Sequence, residues 1–143
     1  MFDERFINGV IVADKPSGCT SHDVVARVKK TLGGFSSRSA SKVGHLGTLD
    51  PLATGLLPLV INGATKYAER LSAGTKTYRT VLKLGETTDT YDSEGLVVAR
   101  AESSSVTETD VLDALAKFKG TIMQIPPMYS AKKRGGVPLY KLA

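Results

Sequence analysis

Apolar positions along the chain alternate between short runs and helical stripes. Gly9-Val10-Ile11-Val12-Ala13 is an apolar run that fits a buried strand, closed by the turn Lys15-Pro16-Ser17-Gly18. Thr20 with Asp23 three residues on predicts a capping box. Val24, Val25, Val28 and Leu32 then recur on one helical face, and Gly33-Gly34 ends the helix. Residues 35–42 form a Ser/Arg-rich loop. Residues 56–61 read as a second strand and 63–71 as a short helix. In 76–84, Tyr78, Thr80, Leu82 and Leu84 alternate with Arg79, Val81 and Lys83, which predicts a strand with one wetter face. A polar loop over 85–95 precedes a strand over 96–100. Thr107 and Asp110 predict a second capped helix carrying Val111, Leu112, Leu115 and Phe118, stopped by Gly120. Residues 121–132 read as strand and turn, Gly135-Gly136 as a hairpin or hinge, and Pro138 suits the first turn of a short helix in "PLYKLA". The expected class is α/β (α+β), with strands and helices mixed.

Composition narrows the function classes. The 143 residues hold 19 Lys and Arg against 14 Asp and Glu, a net charge of +5, which admits a polyanionic partner such as RNA without requiring one. The single Cys19 excludes an internal disulfide and suits a reducing cytosol. The apolar run 56–61 is interrupted by Pro58 and is far shorter than a membrane span, and the first eight residues carry Asp3, Glu4 and Arg5 where a signal peptide has an apolar core. A cytoplasmic protein without membrane contact is expected.

The candidate chemistry centres on "VGHLGTLDPLATG", residues 43–55, with three glycines and a proline around His45 and Asp50. Such a stretch reads as a shaped loop, and shaped loops on rigid scaffolds often carry function. An aspartate is already ionised at neutral pH and can act as a nucleophile without a helper base. The plain structural alternative is an Asx-type turn ahead of Pro51, with His45 a surface loop residue. Tyr78, between Lys76 and Arg79, is either a half-buried sheet residue or an aromatic face on which a base stacks. Asp89, Asp92 and Glu94 lie in a loop whose spacing does not match a calcium-binding loop, so a polar hairpin loop is expected there. The sequence has no phosphate-binding glycine loop, no dinucleotide fingerprint and no Cys/His zinc set, so a metal-free site is expected.

Five segments in order, "VADKPSGCTSHDVV", "VGHLGTLDPLATGLLPLVINGATK", "KTYRTVLKLGETTDTYDSEG", "QIPPMYSAKK" and "LYKLA", resemble the bacterial tRNA pseudouridine-55 synthase family, TruB. The resemblance implies isomerisation of uridine 55 in the T-arm of tRNA, without metal or organic cofactor. It implies that Asp50 is the nucleophile, that His45 meets the RNA at the flipped-out nucleotide, and that Tyr78 packs against the target base, with a possible part in proton transfer. It also implies a mixed, largely antiparallel sheet flanked by helices. Residues 1–143 are then the N-terminal portion of the pseudouridine synthase catalytic domain, with the rest of that domain and an RNA-binding PUA domain absent. The sheet would be incomplete, with an edge and apolar surface unpaired. The alternative function is a non-catalytic tRNA-binding or RNA-folding module.

Overall fold

The computed structural model describes residues 7–33, 41–127, 130 and 132–139. The chain divides into two units, Met1–Thr77 and Tyr78–Ala143. In the first, strands β1 (Gly9–Lys15), β2 (Val43–His45) and β3 (Gly55–Ile61) form an antiparallel sheet in the order β1-β3-β2, and helix α1 (Ser21–Gly33) follows β1. Ala13 lies opposite Leu57, Ile11 opposite Leu59, and Val43 opposite Ile61. Directly opposed residues share a face of the sheet. That face, with Leu57 and Leu59 fully buried, meets Val25 of α1, and Val24, Val28 and Leu32 pack around it. The predicted helical stripe is therefore the inward one.

The other face carries Val10, Val12 and Leu56. Val12 and Leu56 are 61% and 67% exposed, so apolar surface does remain uncovered there. Pro58 sits in the central strand, where a missing N–H normally breaks a ladder. Its carbonyl accepts from the Leu46 amide at 2.9 Å, on the β2 side. A residue's N–H and C=O point to the same side of a strand, so the missing donor falls just past His45, where β2 has already ended.

Two side chains fix the ends of these elements. Thr20 and Asp23 form the expected reciprocal cap: the Asp23 amide donates to the Thr20 hydroxyl at 3.1 Å, and the Thr20 amide donates to the Asp23 carboxylate at 2.8 Å. Asn62, at φ +49, is of a residue type that tolerates the left-handed region. Its side chain donates to the Ile7 carbonyl and accepts from the Lys42 amide, tying together the starts of β1 and β2. Where one short helix is expected over 63–71, the chain makes a 3₁₀ turn (Asn62–Tyr67) and then α2 (Ala68–Ser72).

The second unit is built from local devices. Strands β4 (Glu86–Thr88) and β5 (Val97–Arg100) pair antiparallel, with a register shift between Thr87 and Thr88. The connecting loop is shaped by its own acids: the Asp89 carboxylate accepts from the Leu96 amide, and Asp92 accepts from the Glu94 amide and the Thr90 hydroxyl. Those carboxylates serve the hairpin loop expected from the spacing. Helix α3 (Glu108–Ala116) carries the predicted Thr107–Asp110 capping box. Strands β6 (Lys133–Arg134) and β7 (Val137–Pro138) close through Gly135 and Gly136 at φ +59 and +84, the left-handed pair a type I′ turn needs. Among the described apolar residues of this unit only Leu139 is buried, while Val81, Met123 and Ile125 are more than 90% exposed.

The structure departs from the sequence expectation in three further segments. Residues 76–84 form no strand: a strand exists only through a partner's hydrogen bonds, and alternation alone supplies none. Residues 121–127 likewise lie outside any strand, and Pro138 ends β7 where a helical turn was expected. Residues 35–40 of the Ser/Arg-rich loop expected over 35–42, and the last residues of "PLYKLA", 140–143, lie outside the described residues.

The caps make stability acid-sensitive. Hydrogen bonds from the Thr20 side chain and then its amide hold the Asp23 carboxyl below its ordinary value of 3.8, and Thr107 does the same to Asp110. A carboxyl lowered in the fold contributes stability that is complete above the unfolded value and lost as pH falls through the folded one. Helix content by circular dichroism is expected to fall as pH drops below the ordinary carboxyl value of 3.8, with a smaller loss in Asp23→Asn. Thr20→Ala is expected to cost about 1 kcal/mol in urea unfolding.

Candidate active site

The quoted stretch is a loop only in part. Val43–His45 is β2 and Gly55 opens β3, so residues 46–54 connect two paired strands. Asp50 stands on this connection, and the residues on both sides of it are held from below. The Ser21 hydroxyl, at the start of α1 and 2% exposed, accepts from the Leu49 amide at 2.9 Å and donates to the Leu49 carbonyl at 3.2 Å. The Pro51 carbonyl accepts from the Gly18 amide at 2.8 Å and from the Lys15 ammonium at 3.2 Å.

Lys15 is completely buried. Its ammonium also donates to the carbonyls of Pro16 (3.0 Å) and Cys19 (2.7 Å). Three donors meet three acceptors, which is what a buried ammonium needs where no carboxylate among the described residues pairs with it. The turn 16–19 and the Asp50 loop are thus stitched to one cation at the end of β1.

The Asp50 carboxylate itself is exposed and makes no hydrogen bond or ion pair among the described residues. The Asx-turn alternative is therefore excluded. The turn is closed by backbone instead, the Ala53 amide donating to the Asp50 carbonyl at 3.0 Å, with Pro51 at the position that favours it. His45 closes β2, half-buried, with Nδ1 2.7 Å from the Gly47 carbonyl. A carbonyl only accepts, so Nδ1 donates, and Nε2 is the ring nitrogen left for an incoming group. Gly47 holds this bend at φ +133, a conformation that side chains other than glycine's rarely adopt.

His45 and Asp50 thus belong to one stapled connection in the first unit. Tyr78 begins the second unit, outside any strand, with its ring 67% exposed and its hydroxyl without a hydrogen bond among the described residues. Sequence reasoning missed Lys15 and Ser21 as parts of the site. A lysine before Pro-Ser-Gly looks like a turn residue, and its depth is decided by a loop 36 positions away.

Residues 35–143 match the family described as TruB family pseudouridylate synthase (N terminal domain). The chain belongs to the TruB family. It is similar to the tRNA pseudouridine synthase B of Saccharophagus degradans, 49% identical over 139 residues that cover 97% of the chain and 42% of that protein. The protein of the same name from Geobacter sulfurreducens is 50% identical over 137 residues, covering 96% and 43% respectively. That of Clostridium perfringens strain 13 is 47% identical over 137 residues, covering 96% and 45%. This TruB-family chain therefore spans well under half the length of these curated relatives. Its mixed helices and antiparallel sheets agree with the α+β class expected from the sequence.

In this TruB-family chain, Lys15→Met leaves three carbonyls without their shared donor. It is expected to destabilise the first unit by about 3 kcal/mol, seen as a lower urea midpoint. A change within about 0.5 kcal/mol, the range of an ordinary surface substitution, contradicts the stitched arrangement.

Proposed function

We propose that the Asp50 loop converts uridine 55 in the T-arm of tRNA to pseudouridine, with Asp50 as the nucleophile on a flipped-out base. What supports this reading is the state of Asp50: its neighbours are held by buried groups while its carboxylate is exposed and makes no hydrogen bond or ion pair among the described residues. A nucleophile needs that combination of a fixed backbone and an unengaged charge.

The chemistry is an isomerisation. The bond from the ribose C1′ to N1 of uracil breaks, the base turns, and a bond from C1′ to C5 forms. The proton on C5 is lost to solvent and N1 takes one up. No electrons are gained or lost overall, so the reaction calls for no redox partner. The target base is stacked in its loop, and extruding it costs a few kcal/mol that contacts to the flipped base must offset. His45 is proposed to meet the RNA at the flipped nucleotide, through Nε2. For Tyr78 the proposal is a packing contact with the uracil, for which the exposed ring is suited. The +5 charge favours a tRNA partner, and it equally supports the second reading, a tRNA-binding module without catalysis.

Tritium release from tRNA labelled at uridine C5 separates the two. Release is expected, and Asp50→Ala is expected to abolish it by at least about 10³-fold while T-arm binding persists. Binding without release from the parent chain assigns it to the second reading.

A further inference from the structure

Lys76 lies just past the end of α2 and turns back onto it, its ammonium donating to the Ser72 carbonyl at 3.0 Å. Its arm comes close to the Asp50 loop at Gly47. A Cβ built on Gly47 would stand 3.8 Å from the Lys76 Cε, with no other group beyond its chain neighbours within 4 Å. Gly47 thus holds the His45 ring through its carbonyl and lies bare against the Lys76 arm.

Lys76 is exposed, uses one of its three donors, and forms no ion pair among the described residues. Asp50, three positions on from Gly47, is also exposed and without an ion pair among the described residues. The loop therefore carries an exposed carboxylate at Asp50 and is approached at Gly47 by the arm of an exposed lysine. A polyanion approaching that carboxylate is repelled unless a cation sits at the same approach. An ammonium resting on a neutral carbonyl gains the attraction of an opposite full charge by moving to a phosphate oxygen. The flexible lysine arm permits the move, and a glycine beneath it leaves room for a backbone to come close.

We propose that Lys76 is the phosphate contact of the Asp50 loop, taking an oxygen of a phosphodiester next to the flipped-out nucleotide. This rests on reading the loop as an RNA-modifying site, and it adds a positioning residue to that reading. The test is fluorescence anisotropy of a labelled T-arm stem-loop RNA titrated with the chain, at KCl from about 50 to about 200 mM, where the slope of log affinity against log salt counts phosphate contacts. Lys76→Gln is expected to reduce that slope by about one and to weaken binding about fivefold at the lower salt. Lys76→Arg, which keeps a cation, is expected to restore both, and Lys30→Gln on α1 to leave the slope unchanged. A parent-like slope in Lys76→Gln, or an equal loss in Lys30→Gln, overturns the inference and leaves the functional reading standing. Failure of the parent chain to bind the stem-loop overturns both.

Discussion

The ammonium of Lys15 is the constraint on which the first unit turns. Burying one unpaired charge costs several kcal/mol, and the cost is offset only if every donor finds an acceptor. Two of its acceptors, on Pro16 and Cys19, are local, and the third, on Pro51, is 36 residues away. The turn after β1 and the loop before β3 must therefore assemble together around the cation. Ser21 adds a second stitch one residue to the other side of Asp50. Between the two, the chain has little freedom except in the one side chain that faces water.

A sheet and a helix pressed together give that loop its footing, since Val25, Leu57, Leu59 and Ile61 form a dry layer beneath it. The second unit follows another logic. Its hairpins and helix are set by neighbours in sequence: a threonine and an aspartate at one cap, acids within one loop, two glycines in one turn. Among its described residues Leu139 is the only buried apolar one, and the order there is local.

This contrast explains what was legible in the sequence. Capping boxes, the β1 and β3 runs and the Gly-Gly turn carry their causes within a few residues, so each could be named in advance. The strand expected over 76–84 could not be tested that way, because its existence depends on a partner that alternation does not specify. The same holds at the site. His45 and Asp50 stood out because glycine and proline surround them, and family resemblance pointed to the same residues. Lys15 and Ser21 did not, since their partners lie in a segment that only the fold brings near. The Asx-turn alternative failed for a related reason: backbone bonds had already closed the turn, leaving the carboxylate unengaged.

The most direct measurement of this account is amide hydrogen exchange at Gly18 and Leu49 by NMR. Their N–H groups bond to the Pro51 carbonyl and the Ser21 hydroxyl, so each reports one stitch of the Asp50 loop. Protection comparable to that of the β1–β3 ladder is the predicted result, since the loop then opens only with the sheet. Exchange at the rate of an unstructured chain, with the ladder still protected, contradicts a loop held fast around Lys15.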